Sequence, residues 1–193
     1  MRIGTLSVLL LACALAAGCA STPGVAPVAK SMPAEWTPER RLAAALAAAD
    51  AAADAGNKPA LAQAVADIQA LGGRPEDAAG EALLAAWQAK SGVTPIPLRG
   101  RALGRGYRSG TITPGSNMVI AQTFLSGQKA SIAVSAVDGK PLGLSVLDGK
   151  DKPVCREQSQ RASCSWIPLF TQRHTIQVRN PGPGEVRYYL VID

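Results

Sequence analysis

Few side chains in this 193-residue sequence could serve as a nucleophile, general base or metal ligand. There is one histidine, His174, and there are four cysteines. A serine or cysteine nucleophile needs a base beside it, and His174 is the candidate of that type. It shares one side of an alternating segment with Ile176 and Val178, so we interpret it as a packing residue. No G-x-S-x-G elbow occurs. We therefore expect a protein that is not an enzyme and holds no cofactor or metal.

Arginine side chains form a second group that could bind a ligand. The stretch RGRALGRGYR contains Arg99, Arg101, Arg105 and Arg108. Its glycines are spaced loosely like those of a phosphate-binding loop, but the stretch lacks the strand-to-helix context and the lysine of such a loop. We interpret it as part of a linker whose four arginines form a candidate anion-facing patch.

Residues 1–18 contain the parts of an export signal. Arg2 supplies the basic start, an apolar run extends from Leu6 to Ala17, and the run ends in the small residues that are typical of a signal-peptide cleavage site. The run is shorter than the ~20 apolar residues that span a bilayer. A cleaved signal peptide is therefore favoured over a transmembrane helix.

The end of this leader, LAAGC at residues 15–19, resembles the lipobox of bacterial lipoproteins, although Ala16 stands where that family prefers leucine. The resemblance implies cleavage before Cys19 and attachment of lipid to its thiol. Ala20 resembles the pattern that is sorted to the outer membrane, so we expect a lipid-anchored protein that faces the periplasm. The alternative is ordinary secretion with cleavage near Ala16, which would leave Cys19 as a free thiol.

The cysteine count fits an exported protein. Cys13 lies within the leader, and lipidation of Cys19 would leave Cys155 and Cys164 as one possible pair in an oxidising compartment. Two buried free thiols are the alternative. A zinc site would need more ligands than two cysteines and one distant histidine provide.

Charge is distributed unevenly along the chain. Residues Lys30 to Lys90 include six basic and eight acidic side chains, a net charge of −2, whereas Ser91 to Asp193 include thirteen and six, a net charge of +7. Such a basic surface often binds nucleic acid. An exported protein would instead meet anionic lipid headgroups, lipopolysaccharide or the acidic groups of peptidoglycan. Cations that only keep the protein soluble are the alternative.

The leader is followed by segments of different composition. Residues 19–37 are rich in Pro, Ala, Ser and Thr and predict a flexible tether. Residues 38–91 are dominated by alanine and predict helices, the first capped by Thr37 and the third beginning near Pro75. Large apolar residues are few there, so we expect this segment to dock on the rest of the chain. A groove for a partner helix is the alternative. Residues 92–104 predict a linker.

Short strands are predicted from residue 105 to residue 193. The glycines of the first four turn signals, at 115, 127, 139 and 149, lie 12, 12 and 10 residues apart, which is typical of an all-β sandwich. Apolar and polar residues alternate around Ile132 and Val134. The expected fold class is therefore α+β: an N-terminal Ala-rich helical hairpin or three-helix segment, then an antiparallel, jelly-roll-like β-sandwich.

Several stretches of this half carry a resemblance to a known family. They are SGTITPGSNMVIAQTFLSGQ, LGLSVLDG and HTIQV. They are similar to the bacterial pre-peptidase C-terminal domain family over about Gly106 to Asp193. The resemblance implies a small β-sandwich of the kind commonly attached to secreted proteases. That family often has a cysteine pair across a hairpin loop where this chain has VCREQSQRASCSW, which implies a Cys155–Cys164 disulfide.

Some domains of that family bind calcium, and Asp138, Asp148 and Asp151 could supply carboxylates. Lysines are interleaved with these three residues and would oppose a bound cation. Capping of turns by aspartate before glycine is the interpretation that we favour.

These patterns predict a non-catalytic lipoprotein that binds or supports another component of the cell envelope. The expected partner is an envelope protein, with peptidoglycan or another glycan second, and nucleic acid is not expected. The runner-up is an accessory, targeting or inhibitory module of a secreted peptidase. A hydrolase is the third possibility, and it would need a nucleophile or carboxylate pair that the sequence does not offer.

Overall fold

The computed structural model describes residues 35–95 and 104–193, and these two ranges contain three helices and nine strands. The helices are α1 (Pro38–Asp54), α2 (Lys58–Ala70) and α3 (Ala78–Ser91). The strands are β1 (Gly73–Pro75), β2 (Arg105–Ile112), β3 (Asn117–Phe124), β4 (Ala130–Ala136), β5 (Leu142–Leu147), β6 (Pro153–Ser159), β7 (Arg161–Trp166), β8 (Gln172–Arg179) and β9 (Val186–Ile192).

Local capping signals determine where the helices begin and end. The hydroxyl of Thr37 accepts a hydrogen bond from the Arg40 amide, and Asn57 caps α2 in the same way. Gly92 follows α3 in the left-handed conformation that glycine adopts at low cost, with φ 76°. None of these three helices is long and apolar enough to cross a membrane.

The segment before α3 differs from the prediction. The predicted third helix is present, but it does not begin at Pro75: Gly73–Pro75 forms a strand, and α3 begins at Ala78, after Asp77. The Asp77 carboxylate accepts a hydrogen bond from the Gly80 amide at 2.7 Å, which caps the helix. β1 pairs in parallel with β2 at the edge of a sheet, a position where a strand can contain proline.

The strands form two facing sheets, with the orders β1-β2-β9-β4-β7 and β3-β8-β5-β6. Every pair except β1 with β2 is antiparallel. Side chains such as Ile132, Leu144 and Ile176 are fully buried or nearly so in the core between the sheets. The α+β class with an antiparallel sandwich is confirmed.

The helices form a third layer, outside the five-stranded sheet. All seven residues of β4 are buried, because Ile132 and Val134 belong to the core between the sheets while Ala133 belongs to a second core under α1. Leu42 and Leu46 of α1 are fully buried in that second core. The prediction that the helical segment docks on the sandwich is confirmed.

Candidate functional site

The four-stranded sheet has one buried face and one face open to solvent. Along β8 the alternate positions beginning at His174 are buried, while the positions between them are half-buried or exposed. The outward residues of this strand are Arg173, Thr175, Gln177 and Arg179. We call this outward surface of β3, β8, β5 and β6 the polar face.

Strand register assembles the polar face into rows. One row runs across the four strands through Asn117, Arg179, Gly143 and Gln158. The next row contains Val119, Gln177, Ser145 and Arg156. Most of these residues line a shallow groove of about 420 Å³. The groove therefore combines amide, hydroxyl and guanidinium groups contributed by all four strands.

The polar face carries mainly positive charge. Its arginines are Arg156, Arg173 and Arg179, and none of them forms an ion pair with a described residue. Glu157 is the one acidic residue in the four strands. Glu157 also lines the groove, but its carboxylate already accepts hydrogen bonds from the Ser163 amide and from Arg40 of α1. The described part of the polar face is therefore cationic.

The spacing of the arginines suits a ligand that lies across the strands. Arg156 and Arg179 come from the two strands that flank β5 and from neighbouring rows. Two strand spacings across and two residues along the strand place their Cα atoms about 12 Å apart. Gly143 lies on β5 beside Arg179 and leaves the floor of the groove without a side chain. Guanidinium groups bind carboxylates with two parallel hydrogen bonds, and amides both donate and accept.

The Cys155–Cys164 disulfide, which the sequence predicts, is confirmed, with a Cα–Cα distance of 6.0 Å. It joins β6 of one sheet to β7 of the other. Cys155 directly precedes Arg156, so the bridge fixes the strand that carries one arginine of the polar face.

The predicted arginine patch lies elsewhere, and half of it falls outside the described residues. Arg105 donates hydrogen bonds to the Glu39 carboxylate and to the Leu71 carbonyl. Arg108 forms an ion pair with Glu76. The two described arginines are thus partnered by the chain itself. Arg99 and Arg101 lie outside the described residues, as does Cys19, and anion binding by the four arginines stays a prediction.

His174 is a packing residue, as the sequence predicts. It is 1% exposed. Its ring lies 5.4 Å from that of Phe124 and 5.3 Å from that of Trp166. Its Nδ1 atom lies 3.2 Å from the Gln172 carbonyl oxygen.

The aspartates at the turns cap those turns. Asp138 accepts a hydrogen bond from the Lys140 amide, and Asp148 accepts from the amides of Lys150 and Lys152. These hydrogen bonds from Lys152 and Lys150 hold the pKa of Asp148 below its ordinary value. Within residues 35–95 and 104–193, no group of three or more His, Cys, Asp or Glu side chains is arranged to hold a metal ion.

No known protein family matches the chain. No curated protein matches it either. Among solved structures, the fold is similar to the pre-peptidase C-terminal domain of a collagenase from Bacillus anthracis, with 14% identity and a TM-score of 0.42 over 46% of this chain and 89% of that chain. A mitogen derived from Yersinia pseudotuberculosis gives 14% identity and a TM-score of 0.40 over 46% and 84%.

A periplasmic inhibitor of g-type lysozyme from Aeromonas hydrophila gives 12% identity and a TM-score of 0.37 over 46% of this chain and 84% of that chain. All of these TM-scores are below 0.5, so the similarities assign no function to this chain. Membership of the pre-peptidase C-terminal family stays a prediction.

Proposed function

We propose that this chain is a non-catalytic binding module of the bacterial cell envelope, and that its polar face binds a carboxylate-bearing glycan of the peptidoglycan class. The observation that carries the proposal is the pair of arginines, Arg156 and Arg179, on either side of β5. Neither has an acidic partner among the described residues, and the carboxylate of Glu157 in the same groove is paired with Arg40. From the sequence alone, an envelope protein is the first expected partner and a glycan the second; the polar face reverses that order.

The chemistry of such a glycan matches the residues of the polar face. Its peptide carboxylates would accept charge-assisted hydrogen bonds from the guanidinium groups. Its sugar hydroxyl and acetamido groups would pair with Asn117, Gln158 and Gln177, whose amides can both donate and accept. Because a sheet is a rigid support, the backbone positions of these residues are fixed before the ligand arrives, which lowers the entropic cost of binding.

The proposal is tested by sedimentation of the mature chain with purified peptidoglycan sacculi. We expect the native chain to sediment with the sacculi, less so as the salt concentration rises. The double variant Arg156→Gln/Arg179→Gln should bind at least about tenfold more weakly, since each charged hydrogen bond contributes about 1.5–3 kcal/mol. Sacculi whose carboxyl groups have been converted to amides should bind the native chain as weakly as native sacculi bind the variant.

Lys58→Gln with Lys90→Gln is the matched control, because it removes two exposed positive charges from the helical layer. This control should bind sacculi like the native chain. An equal loss in the control would show that net charge, and not the polar face, holds the glycan. Recovery of a protease, rather than sacculus fragments, in a pull-down from solubilised envelopes would favour the runner-up, an accessory module of a secreted peptidase.

We further propose that the module is held at the periplasmic side of the outer membrane by lipid on Cys19. The support is the sequence LAAGC at the end of a leader-like segment, together with the two remaining cysteines, which pair with each other. Acyl chains contribute about 0.8 kcal/mol per buried CH₂, so several chains on one residue give a stable anchor. Metabolic labelling with palmitate, compared between the native chain and Cys19→Ala, tests this. Equal labelling of both would refute it.

A further inference from the structure

Two neighbouring loops at one end of the sandwich expose large apolar side chains to solvent. One loop joins β3 to β4 (residues 125–129), and the other joins β7 to β8 (residues 167–171). Leu169 is 82% exposed, Phe170 71%, Ile167 62% and Leu125 51%. We call these four residues the apolar tip. Single exposed apolar residues are common, but a contiguous group of them marks an interaction surface.

Hydrogen bonds tie the two loops into one structure. The Ser126 amide donates to the Thr171 hydroxyl at 3.0 Å, and the Ser126 hydroxyl donates to the Leu169 carbonyl at 2.8 Å. The Gly127 amide donates to the Pro168 carbonyl at 2.9 Å. Pro168 is itself buried. The loops therefore hold the apolar tip in a defined position.

Aromatic packing supports the loops from below. The ring of Phe124, the last residue of β3, lies 4.9 Å from that of Trp166, the last residue of β7. His174 completes this cluster. Each of the two loops thus begins directly after a residue of a packed aromatic cluster, and this base keeps the apolar tip turned towards solvent.

Exposed cations surround the apolar tip. Lys129 ends the first loop, and Arg173 follows the second. Lys150 and Lys152 lie in the loop between β5 and β6, which reaches the same end because Gly149 lies against Gln172 and the Arg173 carbonyl. None of these four cations forms an ion pair with a described residue.

The carboxylates at this end of the sandwich do not cancel that charge. Asp148 and Asp151 lie in the loop with Lys150, and Asp148 is occupied by backbone amides of its own turn. Asp193 forms an ion pair with Arg105 at 3.5 Å. The four unpaired cations therefore outnumber the two carboxylates of the loops around the apolar tip.

We infer that this end of the sandwich docks on a membrane surface that contains anionic lipid headgroups, with the apolar tip inserted at the boundary between headgroups and acyl chains. Interfacial binding of this kind combines buried apolar side chains with attraction between Lys or Arg and anionic lipid. The apolar tip and its ring of cations supply both contributions from one end of the molecule.

A protein partner fits this surface less well. Even if each of the four side chains buried about 150 Å², the lower end for an aromatic residue, they would bury roughly 600 Å² together. This is less than the ~800 Å² that each partner contributes to a stable protein interface. Lysine is also depleted at protein interfaces, whereas three of the four surrounding cations are lysines. This end of the sandwich shares only Arg173 with the polar face and does not depend on lipid on Cys19, so the inference can fail while both of those proposals hold.

The test uses the chain from residue 20 onward, which contains every described residue and lacks the leader and Cys19. Its sedimentation is measured with phosphatidylcholine vesicles and with vesicles of equal parts phosphatidylcholine and phosphatidylglycerol. We expect binding to the mixed vesicles and weaker binding to phosphatidylcholine alone. Phe170→Ser and Leu169→Ser should each lower binding to the mixed vesicles by about tenfold, since each removes a large apolar group from the bilayer.

Val119→Ser is the matched control, because it makes the same kind of change at a 52% exposed apolar residue on the polar face. It should leave vesicle binding unchanged. Lys150→Gln with Lys152→Gln should weaken binding to the mixed vesicles and leave binding to phosphatidylcholine unaltered. Because all five positions are exposed, the unfolding midpoints of these variants should match that of the native chain.

Three results would overturn the inference. The first is a native chain that binds neither kind of vesicle. The second is equal binding by Phe170→Ser, Leu169→Ser and the native chain. The third is a native dimer in sedimentation velocity that Phe170→Ser converts to a monomer while vesicle binding persists, which would assign the apolar tip to a second copy of the chain.

Discussion

The carboxylate of Glu39, in the first turn of α1, accepts a hydrogen bond of 2.8 Å from Nε of Arg105, at the start of β2. Glu39 is 3% exposed, and its other oxygen accepts a hydrogen bond of 2.9 Å from the Ser131 hydroxyl of β4. A single side chain thus connects the helical layer to two strands of the five-stranded sheet. Because the Glu39 carboxylate is buried and charged, the folded state tolerates it only while these partners compensate its charge.

Replacing Glu39 should loosen the helical layer. Glu39→Gln keeps the shape of the side chain but leaves the Arg105 guanidinium with only the Asp193 carboxylate, at 3.5 Å, and we expect a loss of about 2–3 kcal/mol in the free energy of unfolding. Urea unfolding at neutral pH measures this loss. The control is Asp138→Asn, which removes an exposed pair with Lys140 and should cost less than about 1 kcal/mol. Equal losses in the two variants would contradict the prediction.

Two buried carboxylates should give opposite pH dependences. Burial alone would raise the pKa of Glu39, but the hydrogen bond from Arg105 and further hydrogen bonds hold it below its ordinary value of 4.5. For Asp50, burial outweighs the opposing charge of Arg187 and the hydrogen bond from Tyr189, so its pKa is raised above 3.8. Glu39 therefore contributes stability that is present above pH 4.5 and is lost as the pH falls further. Asp50 favours the folded state increasingly as the pH falls through its raised pKa.

Each substitution should remove one of these contributions. Between neutral pH and about pH 3, Glu39→Gln should lose less stability than the native chain, and Asp50→Asn should lose more. Urea midpoints measured across this range provide the comparison. Parallel curves for the native chain and both variants would show that neither carboxyl changes its pKa on folding.

The helix ends could be predicted because their signals are local. Thr37, Asn57 and Gly92 lie beside the backbone groups that they cap, so a short stretch of sequence contains the whole interaction. The strand β1 could not be predicted in this way. Its three residues form a strand only because they pair with β2, which begins at Arg105, about thirty residues later along the chain.

At the candidate site, too, the features set by neighbouring residues could be predicted from the sequence, and those set by strand pairing could not. Alternation along β8 already indicates that Gln177 and Arg179 point away from the core. That β8 lies between β3 and β5, which brings Asn117 and Gly143 beside Arg179, depends on pairings between distant segments. Arg105 likewise reads as a free cation in the sequence, because its partner Glu39 is 66 residues away.

The disulfide should stabilise the packing of the two sheets on each other. Cys155 and Cys164 join β6 to β7 across the two sheets, and closure of a short loop of this length stabilises a fold by roughly 2–3 kcal/mol. We expect Cys155→Ala/Cys164→Ala to lower the free energy of unfolding by that amount. A reductant should shift the urea midpoint of the native chain and leave the double variant unchanged. A similar shift in both would mean that the reductant acts elsewhere.

Filling the floor of the groove should block the proposed glycan site without unfolding the sheet. A Cβ atom on Gly143 would lie 3.6 Å from the Arg179 Cβ, which is an ordinary contact, so a side chain can begin at this position without displacing the strand. Gly143→Leu should therefore remain folded and bind sacculi at least about tenfold more weakly, because its side chain occupies the space between Arg179 and Gln158. Ala121→Leu adds similar bulk to the polar face two residues beyond Val119, away from the groove, and should bind like the native chain. Unchanged binding by Gly143→Leu, with unfolding midpoints equal for all three proteins, would exclude the groove as the glycan site.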